Sequence, residues 1–254
     1  MIFKSFRKDK SSLQHGQSEQ QPQSNIHTLE ERALDFFNEI YSYDDLKEIL
    51  YRGILSEHNV NILLVGPPAT SKSLLLQCIH EKLKDCVYYD AVNSSGPGII
   101  QDLTNHKNTR IILIDEIDKL NKKDQAVFYN LMETGEIIIT KKDNKINFTM
   151  DNPKIFATSN GIEHLNKPLR SRFSIYRLQE YSDKDFIKIS VHLITSKFHF
   201  PSILSALIAQ LLLEKGEKDI RKVLNIAKLI RPDDDVKKIK KIIETYLKYQ
   251  DSHD

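Results

Sequence analysis

The sequence predicts an α/β fold, a parallel sheet covered by helices and followed by an all-helical C-terminal part. Apolar runs over residues 61–65, 86–92, 110–115, 154–159 and 174–178 alternate with helical stretches. Strands buried on both faces read as continuous apolar runs, and their alternation with helices is the pattern of a helix-covered parallel sheet. After Tyr181 the strand signals stop, and amphipathic stretches follow near residues 183–197, 202–215, 218–231 and 235–249, with Pro201 and Pro232 at helix boundaries. The 254 residues, 40% hydrophobic and 28% charged, suit one large domain or a large one with a small companion.

Taken in chain order, residues 1–27 are expected to form a disordered polar leader. Their Gln/Ser-rich stretch, 11–25, has too little apolar surface to offset the entropy of ordering. Thr28 and Glu31 make a capping box for a first helix carrying Leu29, Ala33, Phe36, Phe37 and Ile40. Ser42 is the expected cap of a second helix with Leu46, Ile49, Leu50 and Ile54 on one stripe. The core is expected over residues 28–180 and a four-helix lid over 181–254. The longest apolar runs, 62–65 and 111–114, fall far short of the roughly 18 residues a bilayer-spanning helix needs, so no membrane segment is expected. The basic start leads into no apolar signal core, and Cys78 and Cys86 are the only cysteines, so a reducing cytoplasmic location is expected. With 37 Lys and Arg against 35 Asp and Glu, net charge selects no partner.

Directly after the first strand stands Gly66-Pro67-Pro68-Ala69-Thr70-Ser71-Lys72-Ser73, and Leu74 leads into a helix. Strand, tight loop, Lys-Ser, helix is an arrangement whose backbone N–H groups cradle phosphates. Lys72 would pair β and γ oxygens, and the Ser73 hydroxyl would ligate Mg²⁺. Ser71 stands where such loops usually carry a second glycine, which removes conformational freedom at a position of unusual φ. The apolar run 111–114 ends in Asp115-Glu116. Adjacent strand residues point to opposite sides, so Asp115 can face Mg²⁺ while Glu116 polarises a water beyond the γ-phosphate. Ligands bind at the carboxyl edge of such sheets, which puts these acids beside the loop. Asp118 and Lys119 are expected at the surface.

With these motifs stand the run from Asp115 to Leu120, a helix through Phe128-Tyr129-Asn130-Leu131-Met132-Glu133, Ala157-Thr158-Ser159-Asn160, and Pro168-Leu169-Arg170-Ser171-Arg172-Phe173. Together they resemble the AAA+ ATPase family over roughly residues 40–231, and within it the Holliday-junction branch-migration ATPases. The phosphate loop and Met132-Glu133 are also similar to minichromosome-maintenance helicases and MoxR-type ATPases. The resemblance implies ATP as the nucleotide, base contacts around 40–44, and Asn160 as the sensor-1 residue, where branch-migration ATPases tend to carry Thr. It also implies Arg172 as an arginine finger acting on a neighbouring subunit, with Arg170 as the alternative, and Arg221 as the sensor-2 residue, with Lys222 as the alternative. A finger acting in trans implies a homo-oligomer, a ring and by family resemblance a hexamer.

Residues 136–140 and 146–150 are strand-like around a turn at Lys142-Asp143-Asn144-Lys145, so a hairpin is expected there. Lys141, Lys142 and Lys145 are candidate contacts to DNA phosphates, or equally a solvated turn. The lysine-rich face of the last helix is read as solvated. Because branch-migration ATPases continue into a winged-helix domain that has no counterpart after the lid, a complete junction motor is not expected. The expected activity is Mg²⁺-dependent ATP hydrolysis by an oligomer that remodels or translocates DNA. The alternatives are a MoxR-like remodeller of a protein partner and a nucleotide-gated binding module with little turnover.

Overall fold

The computed structural model of the protein describes residues 28–250 apart from 107, 142 and 143, with side chains described outside 138–147. The leader expected over 1–27, Lys142, and the side chains of Lys141 and Lys145 therefore lie outside the described residues.

Helix α1 (Leu29–Phe36) starts at the expected capping box. Glu31 N–H donates to Thr28 Oγ1 at 3.1 Å and Thr28 N–H to Glu31 Oε2 at 2.7 Å. Helix α2 (Asp44–Leu55) corrects one expectation: its N-cap is Tyr43, at φ 68, and not Ser42. Tyr43 makes no side-chain cap bond; its ring lies 5.8 Å from that of Tyr181, so a contact far along the chain overrides the local capping signal.

Strand β1 (Val60–Val65) leads to α3 (Lys72–Lys82), β2 (Cys86–Asp90), α4 (Gly96–Leu103) and β3 (Ile111–Asp115). A 3₁₀ turn at Ile117–Lys119, then α5 (Lys122–Gln125) and α6 (Phe128–Thr134), precede a hairpin of β4 (Glu136–Lys141) and β5 (Asn144–Thr149). Strand β6 (Lys154–Ser159), α7 (Lys167–Arg170) and β7 (Ser174–Arg177) complete the core. Helices α8 (Asp183–Phe198), α9 (Ser202–Glu214), α10 (Ile220–Ala227) and α11 (Val236–Gln250) follow. Helix α4 fills the interval between β2 and β3, where the alternation predicts a helical stretch without fixing its limits; Ser95 caps it by accepting from Gly98 N–H at 3.2 Å, just before the helix-poor Gly96-Pro97-Gly98. Among the described residues no helix is long and apolar enough to cross a membrane.

The main sheet runs β2-β3-β6-β1-β7, all parallel, with Val65 opposite Ser159 and Asp90 opposite Asp115. Alternation along the strands builds a core on each face. Leu63, Val65, Ile112, Ile114, Ile155 and Ala157 pack with α4 and α6. Ile62, Leu64, Ile111, Leu113 and Phe156 pack on the other face with α2 and α3. A third cluster joins Tyr181 to α8–α11. The hairpin is antiparallel, Glu136 opposite Thr149, and is anchored at its base by buried Ile137 and Met150. Gly135 turns the chain into it at φ 75, where an added Cβ would meet Met150 O at 2.1 Å, so glycine is required there.

Phe156, fully buried on the inner strand β6, packs so closely on α2 that a Cβ at Gly53 would come within 3.2 Å of its ring. Phe156→Ala is expected to destabilise the fold by about 3–5 kcal/mol, read from the denaturant midpoint.

Candidate nucleotide site

The chain leaves β1 between its neighbours β6 and β7 and returns to the sheet at the far edge, β2. That reversal opens a crevice at the carboxyl ends of the strands. The loop from Gly66 to Ser71 crosses it. Gly66 admits no side chain, since an added Cβ would sit 2.4 Å from Leu178 O. Ala69 and Ser71 both hold left-handed backbone, φ 64 and 61. That conformation costs about 1–2 kcal/mol for a residue with a Cβ, and persists only where surroundings enforce it. At Ser71 part of that enforcement is visible: its Oγ accepts from the Tyr181 hydroxyl at 2.6 Å.

Lys72 opens α3 and is buried, 6% exposed. Its Nζ donates to Gly66 O and Pro67 O at 2.7 Å each, and to Thr70 Oγ1 at 3.4 Å. Burial pulls its pKa below the usual lysine value, while Asp115, Asp118 and Glu116 work in the opposite direction. The ammonium is thus stored inside the loop against backbone oxygens. Pro68 is exposed, and Leu74 packs half-buried against the second core cluster.

Asp115 closes β3 and is held from three sides. Its Oδ1 accepts from Ser73 Oγ at 2.9 Å and, by a very short bond, from Thr158 Oγ1; its Oδ2 accepts from Tyr88 OH at 2.9 Å. Glu116 turns left-handed, φ 52, and its N–H donates to the same Thr158 Oγ1 at 2.9 Å. Its Oε1 accepts from Asn160 Nδ2 at 3.4 Å. The structure thus brings the loop, Ser73, Asp115, Glu116 and Asn160 to one strand edge. Asp118 is not at the surface: it is 8% exposed, and its Oδ1 accepts from Asn160 N–H at 3.4 Å. The 3₁₀ turn after Glu116 carries it inward, and no local polarity signal announces that turn. Lys119 is exposed as expected.

Thr158, Tyr88 and Tyr181 were missed. For Thr158 a signal existed, since it lies two residues before Asn160 on β6 and so on the same side of the strand. Thr158→Val keeps the shape but leaves the Glu116 N–H unpaired and strips one donor from Asp115. It is expected to lower stability by about 1–3 kcal/mol, read by chemical unfolding.

The predicted arginines are engaged elsewhere. Arg172 Nη2 pairs with Glu133 Oε2 at 2.5 Å, its Nη1 donates to Pro168 O at 2.8 Å, and its guanidinium lies 5.3 Å from the Tyr129 ring. Its Nε is buried without a hydrogen-bond partner among the described residues. Arg170 ends α7, half-buried. Arg221 lies in the first turn of α10, largely exposed, and bonds to its own helix cap, Asp219, at 3.0–3.2 Å. The Asp219 bond raises its pKa against the opposing effect of burial, with the carboxylates of Asp219 and Glu116 adding to the rise. Lys222 pairs with Glu217 at 2.6 Å.

A cavity of about 740 Å³ lies between the entry helices and the segment from Gln179 into α8, lined among others by Ile40, Tyr43, Lys47, Tyr181 and His192 and by no residue of the loop itself. The donor set for a metal is one hydroxyl, Ser73, and one carboxylate, Asp115, already 2.9 Å apart. That set fits a hard cation which takes one or two protein oxygens and completes its shell with phosphates and water, as Mg²⁺ does.

Sheet order, loop and acidic strand end form a P-loop module on a parallel α/β sheet. Residues 43–167 match the family model of the MCM P-loop domain. The Holliday junction branch migration complex subunit RuvB of Ehrlichia canis (strain Jake) is 31% identical over 140 residues, covering 51% of this chain and 41% of that protein. RuvB of Fusobacterium nucleatum is 29% identical over 167 residues, 60% of this chain and 49% of that protein. The maternal DNA replication licensing factor mcm6 of Xenopus tropicalis is 28% identical over 145 residues, 46% of this chain and 18% of that protein. The chain therefore spans half or less of the length of these curated relatives.

Proposed function

We infer that the protein hydrolyses ATP with Mg²⁺ as an oligomer and applies the energy to DNA. The observation that carries the hydrolytic reading is the bond network at the strand edge. Ser73 and Asp115 are joined at 2.9 Å beside the loop that stores Lys72, and Glu116 is oriented by Asn160 at 3.4 Å. In this reading residues 28–180 are the nucleotide-binding core and 181–254 the lid.

Each residue then has a physical task. The backbone N–H groups from Ala69 to Leu74 meet phosphate oxygens at the unsatisfied start of α3, since Pro67 and Pro68 carry none and that of Gly66 donates to Ser159 O at 3.2 Å. Lys72 exchanges the carbonyls of Gly66 and Pro67 for β and γ oxygens. Ser73 and Asp115 hold the metal, which when bound neutralises charge across the phosphates. Glu116 accepts a proton from the attacking water, and Asn160, an amide able to donate and accept, orients that water and the Glu116 carboxylate. The cavity beside Tyr43 receives the base. Arg221 swings from Asp219 toward the phosphates, and Arg172 or Arg170 supplies charge to a neighbour's site.

DNA as the object of the work is supported by the printed names of the relatives, which place them in Holliday junction branch migration and DNA replication licensing. The hairpin of β4 and β5 is the proposed contact, repeated around a ring, with Lys141, Lys142 and Lys145 as its candidate residues. The test is phosphate release by the purified protein with MgATP, with and without duplex and branched DNA. The reading expects DNA to raise the rate and Lys142→Glu with Lys145→Glu to abolish the increase. A rate indifferent to DNA but raised by a protein partner would replace DNA with a protein substrate, and binding without turnover would leave a nucleotide-gated module.

A further inference from the structure

Tyr181 stands between β7 and α8 and belongs to two parts of the molecule. Its ring is buried in the cluster of the C-terminal helices with Phe186 and Ile189, yet its hydroxyl donates to Ser71 Oγ at 2.6 Å. Just upstream, Leu178 N–H donates to Val65 O at 2.7 Å, and Leu178 O covers Gly66. The segment from Leu178 to Tyr181 thus holds the phosphate loop at both ends. Ser71 is where that hold matters. It is the left-handed N-cap of α3, and its carbonyl accepts the first helical bond, from Leu75 N–H at 3.0 Å. A serine does not choose this conformation unaided, and glycine would adopt it without strain. Serine adds a hydroxyl, and that hydroxyl is spent on Tyr181. The Tyr181 ring also lies 5.8 Å from that of Tyr43, the left-handed cap of α2.

We propose that Tyr181 is a positioning residue for phosphate binding: its hydroxyl holds Ser71 left-handed, so that the first N–H groups of α3 face the loop and nucleotide affinity depends on the seating of the C-terminal helices. The proposal rests on the nucleotide reading above. Burial raises the Tyr181 pKa, so the phenol keeps its proton and remains the donor.

The test uses Tyr181→Phe, Ser71→Ala and the double variant in the full chain. MgADP affinity is measured by titration calorimetry, KM and kcat by phosphate release, and amide exchange on the nucleotide-free protein. Each single change is expected to weaken MgADP binding about three- to ten-fold, the loss of one hydrogen bond. The double variant is expected to lose no more than either single one, because both remove the same interaction. KM should rise by the same factor, and exchange should quicken over residues 69–75 but not in β3. Unchanged affinity and exchange, or losses that multiply in the double variant, would overturn the tether alone. Absence of nucleotide uptake by the unsubstituted protein would overturn the tether and the nucleotide reading together.

Discussion

Arg172→Ala is expected to lower kcat by about 10³- to 10⁵-fold while leaving nucleotide affinity nearly intact, because a finger acts on charge that develops in the transition state. In the single subunit Arg172 is parked, paired with Glu133, bonded to Pro168 O and laid over Tyr129. The Glu133 side chain is 62% exposed, so that ion pair contributes about 0–1 kcal/mol and does not prevent the guanidinium from reaching a neighbour. Complementation supplies the decisive readout. Arg172→Ala retains Glu116, and Glu116→Gln retains Arg172, so mixing two inactive variants should restore turnover at interfaces where one donates the finger and the other the base. Mixtures as inactive as their components would exclude action in trans, and full activity of Arg172→Ala alone would pass the role to Arg170.

Glu116→Gln is the second large effect. Loss of a general base costs about 10²- to 10⁴-fold in kcat, and glutamine keeps the size of the side chain and its ability to accept from Asn160 Nδ2. ATP binding should therefore survive with hydrolysis nearly gone, a split that damage to the loop would not produce. Phosphate release beside equilibrium binding reads both halves. Undiminished turnover would remove Glu116 from the chemistry and turn attention to Asp118, which is buried next to Asn160.

What could be read from the chain and what could not divide along a physical line. Strands β1, β3 and β6 were legible because a strand buried on both faces must be apolar without interruption, and their limits fall within a residue of those expected. The loop was legible because phosphate binding needs contiguous residues. The elements that failed depend on contacts distant in sequence. Tyr43 caps α2 in place of Ser42 because its ring meets Tyr181. Thr158 joins Asp115 to Glu116 across 42 and 43 positions, and Tyr181 reaches Ser71 across 110. No propensity or periodicity carries information over such intervals. Ser71 illustrates the division: as a departure from glycine it is visible in the sequence, but the hydroxyl that makes use of it belongs to Tyr181, in the cluster of the C-terminal helices.

The central claim is that a triphosphate is held by the loop through Lys72, and titration of MgATP into the unsubstituted protein and Lys72→Ala tests it most directly. Saturable uptake by the former, weakened about ten- to hundred-fold by removing the charged donor, is the predicted result. Uptake that ignores the loss of Lys72, or no uptake by the intact protein, would contradict it.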